Sequence, residues 1–313
     1  MRGRLIRVPK ILICDPIDPV GTEKLKNAGF TIEFLKCKET LKEIIKDYDA
    51  VIVRGRTKVT REIINNGKNL KLIARAGSGL DNIDLKAAGE KGIVVINTPE
   101  ASADSVAELT IGLMVSLARG IPRADYSMKR GEWLKKELIG FLLKGKKLGL
   151  IGLGRIGSRV ARIAKAMGME ILVTKRTPPP PELMKSLEAK FLPLDELLRQ
   201  SDIVSIHVPL TEETRNMINA EKIGLMKDGA YLINTSRGEV VDEEALLEAL
   251  RSGKLGGAAL DVYSVEPPKR LELIKQPNVI CTPHIGAQTV EAQKETSKAI
   301  AEKIIQFFNN QAR

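Results

Sequence analysis

A short apolar run, Leu148 to Ile151, breaks into Gly152-Leu-Gly154-Arg155-Ile156-Gly157, and Val160, Ile163, Ala164 and Met167 follow at helical spacing. Strand, glycine-rich turn and helix in that order give G-x-G-x-x-G a physical meaning. Gly152 permits a tight turn, Gly154 lets backbone N–H groups approach a pyrophosphate, and Gly157 lets helix and strand pack closely. The helix N-terminus adds partial positive charge and unspent N–H donors. The stretch predicts a dinucleotide site built on a parallel sheet.

A chain of 313 residues is long for one core, and two domains are expected. Its three cysteines (Cys14, Cys37, Cys281) are few, odd in number and scattered, which suits a reducing, cytoplasmic compartment. The opening MRGRLIRVP is basic but no apolar stretch follows, so no signal peptide is expected. The longest apolar run, 109–118, is too short to span a bilayer, and membrane association is not expected. Two histidines and dispersed cysteines offer no metal-ligand spacing, so no metal is expected. The net charge of +11 raises nucleic-acid binding, but the cations interleave with glutamates and aromatics make up only 4%, which argues against it. The charge reads either as a solvated, thermophile-like surface or as a field that steers anionic substrates.

Strand and helix alternate along the chain. Lys10–Asp15, Thr31–Leu35, Ala50–Arg54, Leu72–Ala74 and Ile93–Asn97 read as strands, with helices at 20–28, 41–48 and 61–65. A long helix, Ala103–Ala118, reads as the crossover to a second series, and 119–146 reads as basic and irregular. Strands at 171–174, 203–208, 231–234, 258–262 and 279–281 follow the glycine motif, and an amphipathic helix at 290–308 closes the pattern. The fold class expected is α/β: two doubly wound, Rossmann-like parallel-sheet domains with the active site in the cleft between them. One domain would comprise 1–98 with 288–313 and bind substrate; the other, 99–287, would bind the dinucleotide.

Three strand ends of the second series carry chemistry. Strand 231–234 runs into Asn234-Thr-Ser-Arg237, strand 258–262 leads to Glu266, and strand 279–281 leads to His284. Imidazole has about the right pKa to take a hydroxyl proton near neutrality. A carboxylate such as Glu266 would orient the ring, and a guanidinium such as Arg237 would hold a substrate carboxylate through paired hydrogen bonds. With a nicotinamide cofactor the set fits hydride transfer coupled to proton transfer.

The segments VRGRTKVT (53–60), ARAGSGLDNID (74–84), SVAELTIGLM (105–114), GLGRIGSRVA (152–161), HVPLTEETRNMI (207–218), INTSRGEVVDEEAL (233–246), ALDVYSVEP (259–267) and TPHIGAQT (282–289) resemble the D-2-hydroxyacid dehydrogenase family, and within it the short phosphoglycerate dehydrogenases. The resemblance implies Arg237, Glu266 and His284 as the catalytic set, with His284 moving the proton. It implies Asp261 at the nicotinamide carboxamide, His207, Val208 and Pro209 along the adenine pocket, and Arg155, Ile156, Thr174, Thr235, Ser236 and Gly286 among the cofactor contacts. The backbone of Ala76, Gly77, Ser78 and Gly79 would hold the substrate carboxylate. A homodimer built around the 99–287 domain is also implied. Longer relatives carry a regulatory domain beyond the point where this chain stops, so feedback by serine through such a domain is not expected.

One departure bears on the cofactor. The second strand of a dinucleotide domain commonly ends in an acidic residue that binds the ribose hydroxyls, and here Thr174-Lys175-Arg176 stands there. Either Lys175 and Arg176 bind a 2′-phosphate or they point to solvent beside the proline run. The cofactor is therefore NAD or NADP, with a lean to NADP. Arg54 and Arg75 end neighbouring strands and would be costly without a second anion, whereas Arg56 and Lys58 read as surface charges. A 3-phosphate supplies that anion, so 3-phosphoglycerate and 3-phosphohydroxypyruvate, and with them the first step of serine biosynthesis, are the expected chemistry. Glyoxylate or hydroxypyruvate reduction on the same scaffold is the alternative, and a nucleotide-sensing, corepressor-like binding protein is the distant one.

Overall fold

The computed structural model describes residues 8–36 and 40–311; Cys37 and most of the basic N-terminal stretch lie outside the described residues. Two compact units emerge, 1–102 with 288–313 and 103–287. Their boundary lies four residues beyond the one drawn from the sequence.

The first unit holds β1 (Lys10–Ile13), β2 (Thr31–Phe34), β3 (Ala50–Val53), β4 (Leu72–Arg75) and β5 (Val94–Asn97), all parallel, in the order β2-β1-β3-β4-β5. Successive side chains leave a strand on opposite faces. Ile11, Ile13, Ile52, Leu72 and Ala74 meet Leu25 of helix Pro19–Asn27 and Ile300, Ile304 and Phe308 of helix Val290–Gln311. Leu12, Val51, Val53 and Ile73 pack on the other face with Ile64 of helix Arg61–Asn66 and Ala87 and Ala88 of helix Leu85–Glu90. Burial on both faces is what makes these strands continuously apolar.

The second unit holds β6 (Lys147–Ile151), β7 (Glu170–Thr174), β8 (Lys190–Phe191), β9 (Ile203–Ile206), β10 (Ala230–Asn234), β11 (Leu255–Leu260) and β12 (Val279–Cys281). They form a parallel sheet in the order β12-β11-β10-β9-β6-β7-β8. Leu148, Leu150, Ile171 and Val173 pack with helices Ala103–Arg119 and Arg155–Ala166, while Ile206, Leu232 and Leu260 pack with helix Glu243–Arg251 on the other face. In each sheet the winding reverses once, beside β1 and β3 in the first and beside β6 and β9 in the second. Such reversals open a crevice at the carboxyl ends of the strands.

Several elements differ from the sequence reading. Residues 121–129, expected to be irregular, form a helix entered through Gly120 in a left-handed conformation (φ 61°), with Pro122 in its first turn. Its large apolar side chains Ile121, Tyr126 and Met128 are exposed, so no buried stripe marked it. Helix Leu85–Glu90 and the two-residue β8 were also unread, and the expected helix at 41–48 divides into an α turn, Leu41–Ile44, and a 3-10 turn, Ile45–Asp47. Among the described residues no single helix is long and apolar enough to cross a membrane.

Candidate active site

The glycine turn follows β6 at the reversal of the second sheet. Gly152 has φ 98°, its N–H donates to Thr174 O at the end of β7 (2.9 Å), and a methyl group on it would lie 2.5 Å from His207 O after β9. A methyl group on Gly157 would lie 2.3 Å from Gly152 O. The outer glycines thus have packing duties, because real Cβ atoms do not approach so closely. Gly154 differs: a methyl group there meets nothing within 4 Å, and the helix opens directly after it with Arg155. That open space lies at the N-terminus of a 12-residue helix, whose first N–H groups have no partner within the helix, the setting a pyrophosphate requires.

Other expected cofactor residues fall on the same edge or turn inward. Thr174 and His207 border the turn, and Val208 lies 3.1 Å from the position of a methyl group on Gly152. Burial lowers the His207 pKa to about 4, and its Nε2 pairs with Ser205 Oγ at 2.9 Å, so the ring is neutral at pH 7. Pro209 is exposed and Ile156 packs partly into the core. Lys175 and Arg176 are exposed, and the charge of Arg176 helps to lower the Glu213 pKa. Thr235 Oγ1 meets Thr110 Oγ1 at 3.0 Å in the interior, and Ser236 Oγ donates to Asn234 Oδ1 at 2.9 Å.

Arg237, Glu266 and His284 lie at the far half of the same strand-end edge. His284 Nδ1 and Glu266 Oε2 are 2.8 Å apart, and Tyr263 N–H donates to Glu266 Oε1 at 3.3 Å. Burial pushes the Glu266 pKa up. The His284 hydrogen bond and charge, the Tyr263 N–H and the charge of Arg237 outweigh it and hold the carboxyl below its ordinary range. The ionised carboxylate can only accept, so the proton of the pair sits on Nδ1, which leaves Nε2 as the nitrogen able to exchange a proton.

His284 has φ 53°, an uncommon conformation for a residue with a Cβ. Its loop is held by Asp261, which is 1% exposed. Oδ1 accepts from Thr282 Oγ1 (2.6 Å) and Ile285 N (2.8 Å), and Oδ2 accepts from Gly286 N (2.9 Å). Ser105 Oγ donates to Gly286 O at 2.6 Å from the helix beneath. Asp261 is thus turned into the loop that carries the histidine, and Gly286 is buried beside it. Thr282 and Tyr263, whose hydroxyl donates to Thr282 O at 3.0 Å, were not singled out from sequence; only their strand-end position marked them.

The residues expected to bind substrate belong to the first unit. Arg54 follows β3, and its N–H donates to Asp15 Oδ2 at 2.7 Å. Asp15 is 3% exposed and also takes Thr57 N, Thr57 Oγ1 and Arg56 Nε. Asn82 Nδ2 bonds both Arg54 O (2.7 Å) and Thr57 O (2.6 Å). Arg56 is a surface charge, as expected, with its side chain 80% exposed, and it pairs with Asp15. Arg75 lies beside Val53 in the register of β3 and β4; its Nη1 donates to Ala76 O at 3.2 Å, and its Nη2 lies 3.8 Å from the position of a methyl group on Gly55. The four-residue backbone cradle narrows. Ala76 N–H donates to Val53 O and Gly77 N–H to Thr98 Oγ1, which leaves the amides of Ser78 and Gly79. No group of three or more potential metal ligands occurs among the described residues.

The Glu266–His284 pair has a pH signature. A carboxyl with a depressed native pKa contributes stability that is present above its unfolded value, near ~4.3, and lost as pH falls through the native value. Glu266→Gln is expected to lower Tm at pH 7, and the gap from the parent is expected to close as pH falls below about 4. Differential scanning fluorimetry across that range checks it; a gap that does not change with pH overturns the assignment.

A profile of the D-isomer specific 2-hydroxyacid dehydrogenase NAD binding domain matches residues 111–286. A hydroxypyruvate reductase of Thermotoga maritima is 51% identical over 94% of this chain and 97% of its own length. A D-3-phosphoglycerate dehydrogenase of Methanocaldococcus jannaschii is 48% identical over 94% of the chain, which spans only 56% of that relative. The structure of D-lactate dehydrogenase from Aquifex aeolicus, complexed with NAD and lactic acid, superposes with a TM-score of 0.88 at 34% identity, covering 96% of each chain. The chain belongs to the D-isomer specific 2-hydroxyacid dehydrogenase family: it is a nicotinamide-dependent oxidoreductase that carries the family's NAD binding domain.

Proposed function

We propose that the chain interconverts 3-phosphoglycerate and 3-phosphohydroxypyruvate, as a D-3-phosphoglycerate dehydrogenase of serine biosynthesis acting in the cytoplasm. The observation that carries this reading is the pair Arg54 and Arg75 at the carboxyl ends of adjacent strands, beside the reversal of the first sheet. Burial lowers the Arg54 pKa and the charge of Asp15 raises it, as for a partly desolvated guanidinium that gains from an anion. A phosphate suits such a pair, and the amides of Ser78 and Gly79 suit the carboxylate. The glycine turn and the helix N-terminus at Arg155 would hold the pyrophosphate of a nicotinamide dinucleotide, which would supply the hydride chemistry. Arg237 holds and polarises the 2-oxo acid, His284 Nε2 gives the proton to the carbonyl oxygen or takes it from the hydroxyl, and Glu266 steadies the imidazolium.

A specific observation favours hydroxypyruvate reduction as the second reading. The Thermotoga maritima reductase is 51% identical to this chain, against 48% for the Methanocaldococcus jannaschii phosphoglycerate dehydrogenase. NADP use is proposed on the exposed Lys175 and Arg176 beyond Thr174. A homodimer is proposed on the exposed apolar side chains of 121–142, among them Trp133 (75% exposed) and Ile139 (87%), a concentration that a monomer seldom leaves in water.

Three measurements test these readings. The parent is expected to prefer 3-phosphohydroxypyruvate over hydroxypyruvate and glyoxylate, and Arg54→Leu is expected to raise KM for the phosphorylated substrate at least ~10-fold while hardly changing turnover of the others. A parental preference for hydroxypyruvate establishes the second reading instead. Lys175→Ala with Arg176→Ala is expected to weaken NADPH by about one to two orders of magnitude and NADH much less in fluorescence titrations; equal changes refute the NADP lean. Sedimentation velocity is expected to show a dimer that Trp133→Glu with Ile139→Glu converts to monomer, and a monomeric parent refutes the interface.

A further inference from the structure

Asn234 is the last residue of β10, between Ile206 of β9 and Leu260 of β11 in the register of the sheet. It is 1% exposed, and the proposed chemistry gives it no part. A buried carboxamide must satisfy a carbonyl oxygen and two N–H groups, so the atoms that meet them show what it holds in place. Its Nδ2 donates to Arg237 O at 2.8 Å. Its Oδ1 accepts from Ser236 N at 3.0 Å and Ser236 Oγ at 2.9 Å, and its backbone carbonyl accepts from Asp261 N at 3.0 Å. One side chain therefore closes the corner from 234 to 237 on itself, and the same residue ties that corner to the strand end that precedes Glu266.

The next residue limits the corner from the other side. A methyl group on Gly238 would lie 1.9 Å from Tyr263 C and 2.3 Å from Ser264 N, so the backbone after Arg237 rests directly on the turn that leads to Glu266. Arg237 itself is extended (φ −142°, ψ 136°), and its Nη1 donates to Ser236 O at 2.6 Å. Its backbone is thus gripped at the carbonyl by Asn234 and pressed at the following residue against 263–264, which leaves the guanidinium little choice of origin.

We propose that Asn234 is a positioning residue, whose carboxamide sets the place from which Arg237 meets the substrate carboxylate. The inference rests on the reading that Arg237 holds that carboxylate. An aspartate is nearly the same shape but cannot donate, and it would set a buried carboxylate against Arg237 O. A guanidinium moved by about 1 Å can cost roughly 10²-fold in rate.

The test is a double-mutant cycle on the purified enzyme with its preferred 2-oxo acid. Asn234→Asp is expected to lower kcat/KM roughly 10²-fold while the Kd of the nicotinamide cofactor, from protein fluorescence, stays at the parental value. In an Arg237→Lys background the Asn234→Asp loss is expected to vanish, because the two act through one group. Ser236→Ala, which deletes one donor to Oδ1, is expected to give a smaller loss that vanishes in the same background; it carries the test if Asn234→Asp does not fold. Losses that add in the cycle, or an Asn234→Asp loss that comes with weakened cofactor binding, overturn the positioning role while leaving Arg237 in place. Parental kcat/KM in Arg237→Lys overturns the reading of Arg237 and this inference with it.

Discussion

A carboxylate in the interior is tolerable only when donors close around it, and Asp261 shows what that closure achieves. Its three donors come from Thr282, Ile285 and Gly286, so satisfying the charge also draws the loop into one shape. The histidine inside that loop is held in a left-handed conformation that it would seldom adopt unaided. The hydrogen bonds to Asp261 offset both the cost of burying the charge and the cost of the backbone conformation within a single arrangement. Removing a donor exposes both costs together, which is why such a network is rigid when complete.

The same device recurs wherever a strand ends near a site. Asn234 closes the corner that carries Arg237, and Asp15 with Asn82 closes the corner that carries Arg54. Asn97 and Thr98 fasten the chain at Ser78 and Gly77. Parallel strands stop with backbone groups that have no partner in the ladder, and short polar side chains are the local means of meeting them. The glycine turn is the exception. Gly154 is left in open space, while Gly152 and Gly157 take up the packing on either side.

Much of this arrangement was legible in the sequence, for reasons that differ from residue to residue. The glycine motif could be read because its spacing and its flanking elements lie within one short stretch. Arg237, Glu266 and His284 could be read because each follows a strand, and parallel sheets align strand ends. The clamps could not. Asp15 reaches Thr57 across 42 residues and Asn82 reaches Arg54 across 28, and neither span leaves a local pattern. Gly77 is bound by Thr98, 21 residues on, so the backbone amides that remain for a ligand could not be counted in advance. Helix Ile121–Lys129 was missed because its large apolar side chains face outward, where periodicity carries no information about a core.

Helix Val290–Gln311 comes last in the chain yet belongs to the first unit, where Ile300, Ile304 and Phe308 complete one face of the sheet. On a ribosome, strands β1 to β5 therefore emerge with that face covered only in part, by helix Pro19–Asn27, and they wait through the synthesis of nearly two hundred residues for the helix that completes it. The second unit is contiguous and meets no such delay. Vectorial synthesis thus imposes an order of maturation: the dinucleotide-binding unit can consolidate first, and the first unit, begun before it, is finished after it. The apolar face of the first unit is the surface most in need of protection in the interval.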